Sequence, residues 1–329
     1  MGTAAIDTAR RIADDVLFPR ALETDAADLV PLSNLDALAD AGLYGLHAPT
    51  EYGGLGASAA QLYEAVELIS SGCLTTSFVW TQHLGAVFAV LASRRDELHK
   101  KWLRRLATGE LRAGLSLSAI RPGPPSLRAA ETTDGWLLNG TAPWVTGWGR
   151  IDVLYTGART DDGRMVWLLM DAAASSSLRV GPVRLVAVNA SATVHLDFDD
   201  HLVPADRVVS VAAYHEPPAH DGGGRHNGSL ALGVAVRCCR LIGETPLRDE
   251  VDAVRARLDA ADEYEMAAAR AAACEIAVRC ASALVVHTGS SAAVAPGHAE
   301  RLMREATFLL VFGSRPAIRD ALAQQLVRR

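Results

Sequence analysis

Apolar residues recur along this chain of 329 residues in three successive patterns. From residue 1 to about 110 the spacing is that of amphipathic helices, as in the stripe of Leu62, Val66 and Ile69 that follows a polar start at Ser58. The run from Leu74 to Leu91 is apolar on almost every side, which predicts a buried helix. Further helices are predicted over residues 1–20, from Ser33 or Asn34 to Ala41, and from Arg95 to Thr108.

The spacing changes to a period of two between about residues 111 and 210, which is typical of strands. Turn signals such as Asp161-Asp162-Gly163 separate the short apolar runs. Regular spacing of this kind predicts an antiparallel sandwich or barrel. The predicted strands lie at Leu115 to Leu117, Trp136 to Leu138, Val153 to Tyr155, Val166 to Leu169, Val180 to Leu185, and Val194 to Phe198.

Helical spacing returns after the segment 211–227, whose prolines and successive glycines predict a linker. Five helices are predicted beyond it: Leu230 to Ile242, about Leu247 to Leu258, about Tyr264 to His287, Ala299 to Phe312, and Ala317 to Val327. The predicted fold class is therefore multi-domain α and β. Its parts are an N-terminal helical bundle (1–112), a middle antiparallel β-barrel or sandwich (113–215) and a C-terminal helical bundle (226–329).

Composition narrows the class of protein. Half of the residues are hydrophobic, and the net charge of −6 argues against nucleic-acid binding, which needs a basic surface. No apolar run reaches the ~18 residues of a transmembrane helix, and the N-terminus lacks the apolar core of a signal peptide. We therefore expect a cytoplasmic protein without membrane association. The five cysteines lack metal-type spacing, which predicts buried, reduced thiols and no metal site.

Five short motifs, in this order, resemble those of the acyl-CoA dehydrogenase family. They are Pro49-Thr50-Glu51-Tyr52-Gly53-Gly54-Leu55-Gly56, Trp102-Leu103 with 106–110, Asn139-Gly140 followed by Trp144-Val145-Thr146, Val203-Pro204-Ala205-Asp206-Arg207-Val208, and Glu300-Arg301-Leu302-Met303-Arg304-Glu305-Ala306. The resemblance covers nearly the whole chain. It implies the fold of that family, in a short member whose C-terminal helical domain is reduced.

The same resemblance implies that the chain binds FAD between the β-domain and the C-terminal helices. By position, Thr146 would lie near flavin N5 and Trp144 would cover the isoalloxazine, with Val145 between them. Ser118 would contact the flavin pyrimidine, and Gly289 is what the chain retains of a glycine loop assigned to the cofactor. The alternative for Ser118 and Thr146 is a polar residue satisfied by backbone at a strand end. For Trp144 it is an aromatic that packs the sheet.

The implied reaction is dehydrogenation of an acyl thioester, in which a carboxylate removes the α-proton while the β-hydrogen leaves as hydride to flavin N5. Extension without gaps from Arg301 places Gly313 at the position of the family's catalytic glutamate. The remaining candidates for the base are Asp221 and Glu216, just before the first C-terminal helix. The alternative is that both are solvated acids on a loop.

Two residues are candidates for substrate binding. His83, within the predicted buried helix, is a candidate for lining the acyl channel; the alternative is a core histidine with satisfied ring nitrogens. Arg121 is a candidate bidentate donor to a phosphate; the alternative is an arginine in solvent.

Three functions fit these features. The first is FAD-dependent α,β-dehydrogenation of an acyl-CoA or a carrier-bound acyl thioester. The second is a non-catalytic or site-completing subunit of a heteromeric acyl-CoA dehydrogenase. The third is a flavin-dependent monooxygenase on the same fold, which needs no base for an α-proton. Apolar stretches in the C-terminal helices predict a homodimer or a heteromer with a related subunit.

Overall fold

The computed structural model describes residues 2–313 and 315–327, with helices at both ends of the chain and strands in the middle. This order confirms the predicted fold class. The N-terminal part contains α1 (Gly2–Arg11) with a π-helical continuation (Ile12–Leu17), α2 (Ala21–Ala26), α3 (Leu32–Asp40), α4 (Ala59–Gly72), α5 (Leu74–Ala92), and α6 (Asp96–Leu98) joined to α7 (Arg104–Ala107) by the π-helical His99–Leu103.

Two predicted helix starts have different outcomes. Ser58 caps α4 as predicted: its side chain accepts from the backbone N–H of Gln61, and the Gln61 side chain accepts from the backbone N–H of Ser58. The predicted cap of α3 is wrong, because that helix begins at Leu32. Asn34 is instead buried, and its Nδ2 donates to the hydroxyls of Thr24 and Thr76 at 3.2 and 3.1 Å.

Eight strands form one mixed sheet within the described residues: β1 (Ala113–Ser116), β2 (Leu127–Glu131), β3 (Gly135–Val145), β4 (Val153–Arg159), β5 (Arg164–Asp171), β6 (Leu178–Pro182), β7 (Val194–Pro204) and β8 (Val208–Ala213). The strand order is β6-β7-β3-β2-β4-β5-β8. Most pairs are antiparallel as predicted, but β1 and β2 both pair with β4 in parallel. The sheet is therefore mixed and not wholly antiparallel.

The strand predictions missed β2 and β8. The sequence of β2 is Leu-Arg-Ala-Ala-Glu, which has little β-propensity of its own and depends on pairing with β3. The predicted strand Val180 to Leu185 is displaced, because β6 runs from Leu178 to Pro182.

All five predicted C-terminal helices are present: α8 (His226–Ile242), α9 (Leu247–Ala260), α10 (Met266–Thr288), α11 (His298–Val311) and α12 (Pro316–Val327). The N- and C-terminal helices share a single hydrophobic core, while the interior of the sheet forms a second one. At the shared core, Phe78 of α5 packs edge-on against Phe308 and Phe312, with ring centroids 5.3 and 4.9 Å apart. The three-part division at 1–112, 113–215 and 226–329 stays a prediction.

Helix α5 is the one helix in the described residues that is long and apolar enough to cross a membrane by length and composition. This corrects the expectation that no stretch of the chain meets that criterion. Of its most apolar 18 residues, 72% are buried inside the fold. Burial of most of its residues is the property of a core helix.

Candidate functional site

The carboxyl end of β3 carries three of the five residues predicted to contact the flavin. A register shift between Ala142 and Val145 interrupts the pairing of β3 with β7. Such a bulge re-aims side chains, and here it gives Trp144 a left-handed backbone (φ 64°) and leaves its side chain 56% exposed. Val145 and Thr146 on either side of the strand end are buried. A large aromatic in that backbone region is uncommon, and exposure of its ring is what a stacking surface requires.

Thr146 belongs to a buried chain of hydroxyl groups. Its Oγ1 lies 3.2 Å from the Thr193 Oγ1, which in turn lies 2.9 Å from the Ser191 Oγ. All three side chains are at most 3% exposed. Each hydroxyl has one proton to donate, so if Thr193 donates to Thr146 it must accept from Ser191. In that arrangement the proton of the Thr146 hydroxyl is left for another acceptor.

Two more buried hydroxyls lie close by on β1 and the turn after it. A Cβ placed on Gly114 would lie 3.2 Å from the carbonyl oxygen of Thr146, so the end of β3 touches β1 two residues before Ser116. The hydroxyls of Ser116 and Ser118 are buried and have no hydrogen-bond partner among the described residues. Buried polar atoms without a partner are costly, so these two hydroxyls are available to a bound group. Sequence reasoning missed Ser116, Ser191 and Thr193.

These features fit the flavin implied by the resemblance. An isoalloxazine needs hydrogen-bonding groups along its polar edge and an apolar or aromatic surface on its face. The hydroxyls of Ser116 and Ser118 and the exposed ring of Trp144 are of those two kinds. The structure thus places Trp144, Val145 and Thr146 at the end of β3 that touches β1, and Ser118 just beyond the other end of β1.

Gly289 lies elsewhere in the chain. It is exposed just after the C-terminal end of α10, and a Cβ placed on it would meet no atom within 4 Å. Arg270 near the other end of α10 is nineteen residues away, or about 28 Å along a helix of 1.5 Å rise per residue. Gly289 thus lies far along α10 from the Arg270 end of the helix, and its predicted cofactor contact stays a prediction.

The position of the family's base lies at the end of α11 and faces α10. Gly313 has a left-handed backbone (φ 57°), and a Cβ placed on it would lie 3.4 Å from Nη2 of Arg270 and 4.0 Å from Nδ2 of Asn227. Arg270 is 2% exposed, and its Nη1 donates to the carbonyl oxygen of Gly222 at 2.6 Å. A positive side chain thus borders the place where the resemblance puts a carboxylate.

The two loop acids have different surroundings. The linker folds inward at residues 221–223, so the half-buried carboxylate of Asp221 forms an ion pair with Arg315 and accepts from the backbone N–H of Gly223 at 2.7 Å. Glu216 is exposed. Of the two candidate bases, only Asp221 lies beside the Gly313 region.

The structure gives His83 a different role from the predicted one. Its Nδ1 accepts from the backbone N–H of Ala113 at 3.0 Å, so Nε2 carries the hydrogen and donates to the Leu106 carbonyl at 3.0 Å. The side chain is 1% exposed, and burial lowers the pKa of His83 to about 3. His83 is a neutral core histidine that joins α5 to β1, the alternative considered from sequence.

Arg121 is exposed on the turn after β1, and its backbone carbonyl accepts from the hydroxyl of Tyr214 at 3.2 Å. Its predicted phosphate contact stays a prediction. The five cysteines are all buried and none is in a disulfide. Across residues 2–313 and 315–327, no three His, Cys, Asp or Glu side chains converge as a metal site requires.

The structure places a mixed sheet between two sets of helices, with an exposed tryptophan and a buried threonine hydroxyl at the end of β3. Residues 3–110 match the family described as acyl-CoA dehydrogenase, N-terminal domain. The chain is 32% identical over 165 residues to (2S)-methylsuccinyl-CoA dehydrogenase of Cereibacter sphaeroides, covering 47% of this chain and 29% of that protein. The chain thus spans less than a third of that relative's length.

Solved structures agree on the fold. Butyryl-CoA dehydrogenase from Megasphaera elsdenii superimposes with a TM-score of 0.82 at 18% identity, covering 99% of this chain and 98% of that one. Dibenzothiophene monooxygenase from Paenibacillus sp. A11-2 superimposes with a TM-score of 0.78 at 18% identity, covering 98% of this chain and 97% of that one. The fold is therefore that of the acyl-CoA dehydrogenases, and the match of residues 3–110 to the N-terminal domain of that family agrees with the predicted resemblance.

Proposed function

We propose that the chain binds FAD and catalyses α,β-dehydrogenation of an acyl thioester, an acyl-CoA or a carrier-bound acyl group. The observation that carries the proposal is the juxtaposition at the end of β3, where Trp144 is exposed in a left-handed backbone beside the buried hydroxyl of Thr146. When bound, FAD would supply a two-electron acceptor for the hydride that leaves the β-carbon.

The residues of the sheet end would hold and orient the cofactor. The Thr146 hydroxyl donates towards the flavin if it accepts from Thr193, and Thr193 in turn accepts from Ser191. The unpartnered hydroxyls of Ser116 and Ser118 would take up the polar edge of the ring, while Trp144 would cover its face and exclude water.

The proton step needs a base that residue 313 does not supply, because glycine has no side chain. Asp221 is the candidate in this chain, since the inward fold of the linker brings its carboxylate beside the Gly313 region. To accept a proton it must leave Arg315, so we propose that substrate entry moves the linker. Glu216 is exposed and serves as the control for Asp221 in the test below.

The test is the visible spectrum of the purified protein supplied with FAD, followed by anaerobic titration with butyryl-CoA. We expect a yellow protein that bleaches. Thr146→Val should weaken FAD binding and shift the flavin spectrum, whereas Thr133→Val, on an exposed turn, should not. Protein that stays colourless with FAD present would overturn the proposal.

A second titration addresses the base. Asp221→Asn should retain the flavin spectrum but lose most of the bleaching rate, and Glu216→Gln should bleach like the unmodified protein. Normal bleaching by Asp221→Asn would remove Asp221 from the reaction.

A site-completing subunit is a second candidate function, favoured by the glycine at residue 313, which leaves the family's base position without a side chain. Val286 of α10, Val311 of α11 and Val294 of the segment between these helices are 81%, 70% and 66% exposed, which suits a subunit contact. If a partner supplies the missing carboxylate, the chain alone should bind FAD without bleaching, and bleaching should appear when a related dehydrogenase co-purifies.

The monooxygenase alternative rests on Gly313, since oxygen insertion needs no base for an α-proton. It predicts oxygen consumption with product hydroxylation when a flavin reductase supplies reduced flavin. If oxygen is consumed but only hydrogen peroxide forms with each aromatic substrate tested, the monooxygenase alternative is rejected.

A further inference from the structure

Arg270 is a buried cation whose charge no acid of the described residues balances. Its side chain is 2% exposed within the alanine-rich α10, and its Nε is buried without a hydrogen-bond partner among those residues. Nη1 donates to the Gly222 carbonyl oxygen at 2.6 Å, and the thiol of Cys274 is the acidic group whose charge acts on its pKa. An ionised group in such surroundings is strongly destabilising unless an anion pairs with it.

The groups around Arg270 are mostly hydrogen-bond donors. Its Nη2 and the Nδ2 of Asn227 lie 3.4 and 4.0 Å from the point where a side chain at residue 313 would begin. On the other side, Nε of Arg315 lies 3.3 Å from the Cβ position of Gly223, and Arg270 Nη1 lies 3.0 Å from it. Asp221 balances one of the two guanidinium groups through its ion pair with Arg315.

The remaining charges near this place do not cancel the second guanidinium. Burial lowers the pKa of His226 to about 4, so this ring is neutral at pH 7. Arg225 is paired with Asp259. Asp262 and Glu263 line the outer, solvent side of the linker, in a 360 Å³ cavity bounded also by Asp221 and Gly222. One positive charge is therefore left facing the space above Gly313.

We propose that Arg270 and Asn227 form an anion site for a carboxylate carried by the acyl group of the substrate. A planar acid matches the guanidinium fork in shape and charge, and the absence of a side chain at Gly313 leaves the room for it. The substrate class is thus an acyl thioester with a second, anionic end. This inference rests on the proposed function insofar as the ligand is an acyl thioester.

Binding assays separate the site from the reaction. Calorimetric titration of the FAD-supplied protein compares two matched pairs of thioesters, succinyl-CoA with butyryl-CoA and glutaryl-CoA with valeryl-CoA. We expect at least one anionic member to bind about ten-fold more tightly than its neutral partner, equivalent to about 1.4 kcal/mol. Free succinate and glutarate form a separate arm. Affinity for them equal to that of the thioesters would show a site for small acids and overturn the assignment to an acyl group.

Arg270→Met should abolish the preference for the anionic thioester while changing the affinity for the neutral one by less than two-fold. Arg279→Met is the matched control, because Arg279 lies on the same helix but on the surface, in an exposed pair with Glu250. It should keep the preference. A folded Arg270→Met protein that still prefers the anionic thioester would overturn the proposal.

A second pair of variants keeps the test decisive if Arg270→Met does not fold. Gly313→Asp places a carboxylate beside Nη2 of Arg270, and Gly313→Asn is the uncharged control of the same shape. Asp and Asn are among the residues that best tolerate the left-handed backbone at this position. Gly313→Asp should bind the anionic thioester at least five-fold more weakly than Gly313→Asn does. Equal affinities of the two variants would refute the site. Failure of the proposed dehydrogenation, by contrast, would appear as absent bleaching with intact anion preference.

Discussion

His83 offers a test of how a buried histidine couples fold to pH. In His83→Gln the amide can still donate to Leu106, but the backbone N–H of Ala113 loses its acceptor. An unpaired buried N–H costs about 1–3 kcal/mol, so we expect a loss of that size in the free energy of unfolding at pH 7.5.

The pH dependence provides the sharper part of the prediction. Burial lowers the pKa of His83 from 6.5 to about 3, so the unfolded chain takes up the proton first as pH falls. The stabilisation from neutral His83 is complete above pH 6.5 and is lost from there towards pH 3, by about 1.4 kcal/mol per pH unit. At pH 5.0 this loss is about 2 kcal/mol in the unmodified protein and absent in the variant.

Urea unfolding at pH 7.5 and pH 5.0 measures both effects. The variant's deficit should shrink by about 2 kcal/mol at the lower pH, because the other buried histidines titrate alike in both proteins. His287→Gln, on an exposed position of α10, is the control and should leave the pH dependence unchanged. The same deficit at both pH values would refute the assignment of His83. If His83→Gln instead altered acyl-CoA affinity with little loss of stability, the predicted channel role would be right.

Three further predictions concern the fold. Glu305→Gln removes one charge from the fully buried ion pair with Arg301 (2.5 Å) and should lower the free energy of unfolding, measured in urea, by about 3–5 kcal/mol. A smaller loss in the double variant Arg301→Met, Glu305→Leu would confirm the pairing. Gly233→Ala should reduce the melting temperature, since its Cβ would lie 2.4 Å from the carbonyl oxygen of Glu67 where α8 crosses α4; an unchanged melting temperature would contradict that close approach. Ser58→Ala should cost about 1 kcal/mol in urea unfolding, and no loss would mean that the capping box contributes nothing.

The fold was largely predictable because helical and strand periods differ over long stretches. The apolar run of α5 and the alternation in β4 and β5 fix element type without knowledge of their neighbours. Strand β2 was not predictable, because its pairing with β3 rather than its composition makes it a strand.

The site was only partly predictable. Motif spacing located Thr146 and Gly313, but the exposure of Trp144 depends on a bulge that no residue type announces. Arg270 was missed, although a single charge within Ala267 to Ala273 was a usable signal. Its proximity to Gly313 arises from the packing of α10 against α11 and the linker, contacts that residue spacing does not encode.

The position of α5 has a consequence for how the chain folds. Phe78 packs on α11, while a Cβ at Gly85 would press on Leu115 of β1, so one helix contacts both later parts. A fragment ending at residue 112 would keep the contacts of α5 with α4 but leave the faces that pack on β1, α8 and α11 exposed to water. The ribosome must therefore release nearly the whole chain before those faces of α5 are covered. Until then, the first third of the protein is the part most exposed to aggregation and to chaperones.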